Sequence, residues 1–275
     1  MQSWHLTFPA RGRLALFPTE ALRRQALHRL APTVTDRALL FCLVDDHVHL
    51  VLRAERAEAG RIGQAVLFAL RAVAPHLQRA HIRPVEGRSH LLWRVRYCLQ
   101  QPSHHGLQTH PALYSGSCLP DLLGARLLPG LRLCLHEELP RLRAGELLSH
   151  VGLSEVGLSE DPLVEPDEAE LRGVGFHSLM EVSAAALALD LPLAGHGPLA
   201  VAARIAVVQL SGASNKSLGA ELQVSRETLR RYRLTDVQPG LQRAIGRQLA
   251  LRQRMAESAG LVRDEPVVYR LASAA

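Results

Sequence analysis

Apolar and polar positions alternate weakly through Trp4-His-Leu-Thr-Phe8, the period-two pattern of a strand. Helical spacing follows over 20–30, with Thr19 placed to cap it. Ala38 to Val44 is apolar without a break, Asp45-Asp46 interrupts the run, and His47-Val-His-Leu-Val-Leu52 resumes it. That spacing predicts two buried, antiparallel strands joined by an Asp-Asp turn. From Arg61 to Arg79, Ile62, Val66, Leu70, Val73 and Leu77 recur at helical intervals. Pro84 and Gly87 break the chain, Ser89 is placed to cap a helix over 90–101, and Pro102 to end it. The order β-α-β-β-α-α predicts an α+β sandwich rather than a doubly wound parallel sheet.

The pattern changes after residue 125. Residues 126–150 read as leucine-rich helix, and Val151-Gly-Leu-Ser-Glu155 is repeated letter for letter by Val156-Gly-Leu-Ser-Glu160. One tandem copy is too little for a solenoid. With Asp161, Pro162 and Pro166 it reads as a linker, and from Gly173 the spacing is helical again. The expected organisation is a mixed domain over 1–125, a helical segment and acidic linker over 126–172, and a helical domain over 173–275.

Composition narrows the function classes. With 275 residues, 47% of them apolar and 21% charged, the chain is globular in type. It has no apolar run long enough for a membrane span, and its first residues lack the apolar stretch of a secretory signal. Cys42, Cys98, Cys118 and Cys134 form no CxxC pair, which speaks against a zinc ribbon and for reduced cytosolic thiols. Net charge is +7 over 1–125, −5 over 126–172 and +4 over 173–275. Two basic lobes flanking an acidic segment suit a polyanionic partner such as nucleic acid. Lys216 is the only lysine, so the arginine richness reflects compositional bias more than phosphate chemistry.

The chemistry concentrates in two short stretches. In a strand, His47 and His49 share a face, and two neutral imidazoles there make half of a divalent metal site. Taken alone, the pair balances evenly against two incidental histidines. Tyr97 and Gln101 share a face of the following helix. A tyrosine hydroxyl can attack phosphorus, and a glutamine carbonyl can complete a ligand set. By themselves these two residues read more simply as a surface or packing pair.

The two stretches together resemble a known family. Phe41-Cys-Leu-Val-Asp-Asp-His-Val-His-Leu-Val-Leu52 resembles the metal-binding strand of Y1-type HUH transposases. Arg96-Tyr-Cys-Leu-Gln-Gln-Pro102 resembles the family's tyrosine helix. His110-Pro-Ala-Leu-Tyr-Ser-Gly-Ser117, running on to Gly124, is similar to the tail that follows it, and the spacing resembles the REP-associated tyrosine transposase branch. The resemblance covers about 4–124. It implies a ferredoxin-like HUH sandwich, an antiparallel sheet with helices on one side. It implies His47, His49 and Gln101 as ligands of Mg²⁺ or Mn²⁺ and Tyr97 as nucleophile. Beside them Arg83, Trp93 and Arg94 are candidate DNA contacts, with a solvated face an equal reading for Arg83. The reaction implied is cleavage and rejoining of single-stranded or hairpin DNA through a 5′-phosphotyrosine, in a monomer or homodimer in the cytoplasm at the nucleoid. Asp45-Asp46, Gln101 and Gly116 depart from the family's usual Pro-Asn or Pro-Glu, Asn and Ser.

Other residues have plainer readings. Core packing is the simpler use of Trp93, one turn before Tyr97, although its ring also suits a stacked base. His104-His105 read as solvated loop residues, and His81 with Arg83 as candidates for a DNA groove. Asp46-His-Val-His49 is similar to the first strand of amidohydrolase barrels, but the downstream βα series is missing. In the last domain, 203–210, 217–223 and 226–234 resemble a helix-turn-helix with Ser225 capping a basic helix. Arg226, Thr228, Arg230, Arg231 and Arg233 would then face duplex DNA, and Arg243, Arg247, Arg252 and Arg254 would extend the basic face. The competing reading is a non-catalytic DNA-binding regulator that keeps the HUH fold.

Overall fold

The computed structural model describes residues 1–106, 109–153 and 163–258. The chain divides into two compact units, Met1–Pro162 and Leu163–Ala275. Most of the tandem repeat, 154–160, lies outside the described residues.

The first unit is built on four strands: β1 (Gln2–Pro9), β2 (Ala38–Leu43), β3 (His47–Ala54) and β4 (His81–Val85). They form one antiparallel sheet in the order β2-β3-β1-β4. Helix α1 (Glu20–Val34) joins β1 to β2, and α2 (Arg56–Arg71) joins β3 to β4. This βαββαβ connectivity is the split βαβ arrangement. Thr19 caps α1 as expected, its hydroxyl accepting from the Leu22 N–H at 3.2 Å.

The sequence pattern missed β4. Only Val85 in it is buried and Pro84 interrupts its donors, features that suit the sheet edge it occupies.

Strand alternation sorts the sheet into two faces. Leu6 meets α2, where a Cβ on Gly63 would stand 3.0 Å from Leu6 Cδ2. Leu6 pairs with Leu50 and Phe8 with Val48, so these side chains form the floor beneath α1 and α2. His5, Thr7, His47 and His49 point to the opposite face. There α3 (Gly87–His104) brings the Tyr97 ring to 5.2 Å from His49. Helices therefore cover both faces, not one side alone as expected.

Helix α3 also differs at its ends. The His90 ring, not Ser89, serves its start by accepting from the Glu86 N–H at 3.1 Å. Pro102 lies inside the last turn, where its missing N–H costs a single bond, so the helix runs on to His104.

Residues 126–153 belong to the first unit and are not the continuous leucine-rich helix expected. Beyond α4 (Leu119–Leu122), only α5 (Leu135–Glu138) and α6 (Ala144–Ser149) are helical there. Pro129, Gly130 and Pro140 break the rest. The segment is tied to the sheet by the Cys134 N–H donating to Ala38 O and by Arg53 pairing with Glu137 and Glu138. All four cysteines are free and buried.

The second unit contains α7 (Glu168–Gly173), α8 (Phe176–Ala186), α9 (Pro198–Leu210), α10 (Asn215–Glu221), α11 (Arg226–Arg233) and α12 (Pro239–Ser258). Leu179, Val207, Leu218, Leu229, Tyr232 and Ile245 share its core. No described helix is long and apolar enough to cross a membrane.

Candidate functional site

Two adjacent strands and one helix supply the site. Thr7 pairs with His49 and His5 with Val51, so β1 and β3 present His5, Thr7, His47 and His49 side by side. Helix α3 crosses this face with Tyr97 and, one turn on, Gln101. A pocket of about 460 Å³ opens here, lined by His5, Thr7, Asp46, His47, His49, His81, Arg83, Arg94 and Tyr97 among others. Residues 50 positions apart in the sequence thus meet within a few ångströms.

The two imidazoles of the motif meet through Nε2, 2.6 Å apart, and their rings stand nearly perpendicular. Each has its other nitrogen occupied. His47 Nδ1 lies 2.5 Å from Asp46 Oδ1, and because a carboxylate only accepts, His47 carries its proton on Nδ1. That leaves a lone pair on His47 Nε2. His49 Nδ1 lies 3.0 Å from His5 Nε2 in a buried contact.

Burial, then the nearby Arg94 guanidinium, pushes the pKa of His5 down to about 3. Burial, then His47, pushes that of His49 down to about 2. Both rings are therefore neutral near neutral pH, the state a metal requires.

Gln101 is buried, and its Nε2 donates to the Tyr97 carbonyl at 3.2 Å. The Gln101 side chain bears on the protonation of both His49 and Tyr97. Burial raises the pKa of Tyr97, while Arg94 and Gln101 oppose that shift by favouring the phenolate.

These donors fit a divalent cation. His47 and His49 offer imidazole nitrogens, Gln101 offers a carbonyl, and Asp46 and His5 stand behind the two histidines as orienting partners. Asp46, His47 and His105 form a second, overlapping group whose ligand atoms lie within 4.8 Å of one another. His105 is not a solvated loop residue: its ring centroid lies 5.1 Å from that of His47, and its Nδ1 lies 3.6 Å from Asp46 Oδ1. His104 is exposed.

Trp93 is not a core residue either. It is 52% exposed and stacks on Tyr97 with centroids 5.1 Å apart and planes 13° from parallel. Arg94 lies over the Trp93 ring at 4.7 Å. His81 and Arg83, on β4, line the same pocket.

Sequence reasoning missed the roles of His5 and Asp46. Asp46 could have been found from its place beside His47. His5 could not, because only the register of β1 on β3 brings it to His49.

The tail after α3 closes the far edge of the sheet. The Tyr114 hydroxyl donates to Leu43 O at 2.7 Å, and the Leu43 N–H donates to Gly116 O at 2.9 Å. A Cβ at Gly116 would stand 2.7 Å from Tyr114 Cε1 and closer still to Leu43 O, so the family's usual serine is excluded here.

In the second unit, α10 and α11 are joined by Leu222-Gln223-Val224, and Ser225 caps α11 by accepting from the Thr228 N–H at 3.1 Å. Arg226, Arg230, Arg231 and Arg233 are exposed, whereas Thr228 is half-buried with its hydroxyl 2.9 Å from Ser225 Oγ. Gln209 Nε2 sits 2.8–3.0 Å from the carbonyls of Tyr232, Arg233 and Thr235, holding the end of α11 against α9. The basic face does not extend through α12 as expected. Arg243 and Arg247 pair with Glu165, and Arg252 pairs with Glu181.

No family model matches the sequence, and no curated protein matches it. Among solved structures, the chain is similar to one described as "Structure of the REP associates tyrosine transposase bound to a REP hairpin". The two are 14% identical, with 42% of this chain and 76% of that chain covered and a TM-score of 0.36.

Proposed function

We propose that this chain is a metal-dependent endonuclease and strand transferase acting on single-stranded or hairpin DNA, of the tyrosine HUH type. The observation that carries the reading is the meeting of Tyr97 with the His47–His49 pair in one basic pocket, with Gln101 one turn beyond Tyr97 on the same helix. Two of the sequence blocks that resemble this family, the histidine strand and the tyrosine helix, meet there, while the third packs on the sheet edge at Leu43.

In this reading His47, His49 and the Gln101 carbonyl would hold a Mg²⁺ or Mn²⁺ ion, which would supply Lewis acidity to the scissile phosphate. Asp46 would orient His47, and His5 would orient His49, so that each Nε2 turns toward the ion. The Tyr97 hydroxyl oxygen attacks phosphorus, a 5′-phosphotyrosine forms, and the 3′-hydroxyl leaves. No water enters the product, so the same bond can be passed back to a 3′-hydroxyl and strands rejoined. Arg94 favours the phenolate, and with Arg83 it offers positive charge to the phosphates. Trp93 extends the Tyr97 ring into an exposed platform for a base. The second unit would hold duplex DNA through the exposed arginines of α11.

The test incubates the full chain with labelled hairpin oligonucleotides and Mn²⁺, followed by a denaturing gel. A protein-linked band is expected that vanishes with chelator and in Tyr97→Phe. Tight hairpin binding with no linked band in any oligonucleotide would replace this reading with the non-catalytic regulator.

A further inference from the structure

Arg204, on α9 in the second unit, is 5% exposed. Its Nε donates to Ala200 O at 3.3 Å and one Nη donates to Gly195 O at 2.8 Å. Among the described residues no carboxylate lies within ion-pair range of it. A guanidinium carries five N–H donors, so three are left over. None of its nitrogens is both fully buried and without a partner, so the remaining donors open onto the space beside them.

The same side chain lines a cavity of about 250 Å³. Met180, Pro192, Leu193, Ala194 and Leu222 give the cavity apolar walls, and His196 and Gln223 add polar groups. A small cavity with apolar walls and one buried cation is the form of a ligand site.

We propose that this cavity binds a small organic monocarboxylate. Its two oxygens take the free edge of the Arg204 guanidinium, and its short apolar body lies against Leu193 and Leu222. The paired N–H donors of that edge match a carboxylate in a bidentate geometry. Glu221 also lines the cavity; its negative charge opposes every anion there, a doubly charged one most, and leaves a monocarboxylate as the class that a single guanidinium can hold. Occupancy is felt by the α10–α11 connection, because Glu221, Leu222 and Gln223 form one wall and Gln223 stands there with φ of 52°. Arg204 also lies 6.0 Å from the ring of Tyr232, on α11. The site does not depend on the catalytic reading of the first unit.

The test uses the full chain and three probes: isovalerate, its uncharged amide isovaleramide, and inorganic phosphate. Isovalerate at saturating concentration is expected to raise Tm by about 2–4 °C. It is also expected to slow hydrogen exchange in the peptide covering 218–226. Isovaleramide and phosphate should do neither. The effect should disappear in Arg204→Gln, and in Ala194→Trp, which fills the cavity mouth from an exposed position without touching the guanidinium. Absence of any isovalerate shift overturns the proposal, as does an equal shift in both variants. A response to phosphate alone overturns the assigned ligand class.

Discussion

At His49 two neighbours divide the work. Its Nε2 faces His47, and its Nδ1 is held by His5 in a buried contact where a carboxylate would be costlier to bury. His5→Phe keeps the volume and removes the orienting partner. We expect Mn²⁺ affinity, read by calorimetry, to fall by about 10–100-fold while the fold persists. The same two rings set an acid limit on the metal-free protein. An unfolded chain takes up their protons near pH 6.5, whereas the fold resists until about 3 at His5 and about 2 at His49. Stability is full above pH 6.5 and declines as pH falls through that window. Denaturant titrations between pH 7 and 4 should show the slope, and His5→Phe should flatten it. The histidine pair itself was legible from a two-residue spacing in an apolar run. His5, 44 residues away, was not, because pairing register has no local signature.

At the level of elements, the strongly patterned pieces were readable and the edge pieces were not. β2 and β3 announce themselves because burial on both faces demands continuous apolar residues. β4 is an edge strand with a single buried residue, so nothing in its pattern distinguishes it from a loop. The 126–150 stretch misled in the opposite direction. Its leucines bury into the first unit from short, proline-broken turns, so leucine content mimicked a helix without the period to support one. The tail at Gly116 makes a quantitative case. Gly116→Ser forces a side chain between Leu43 and the Tyr114 ring. It should lower stability by about 1–3 kcal/mol in denaturant unfolding, the range for overpacking. A neutral result would mean that the tail is free to shift away from β2.

Over the whole chain, charge predicted two basic lobes, and the two compact units each have their own core. Self-sufficiency has a direct test. A fragment of residues 1–162 should fold cooperatively and, on the proposed reading, still form the Mn²⁺-dependent adduct on hairpin DNA. It should also have lost the duplex affinity assigned to α11. An unfolded fragment, read by circular dichroism, would show that the first core needs the second. The acidic stretch was legible as a change in charge, but its first part belongs to the sheet domain through Arg53, Glu137 and Glu138.

The stacking of Trp93 on Tyr97 has an optical consequence. The chain has two tryptophans. Trp4 is tied through its indole N–H to Ala54 O at 3.1 Å, remote in register from the histidine pair. Trp93 stands half in water against the tyrosine ring itself. Light emitted by the second indole is therefore governed by whatever approaches that phenol. The protein carries an intrinsic fluorophore beside Tyr97, and on the proposed function the arrival of a strand there would be timed in a stopped-flow instrument without attaching a dye.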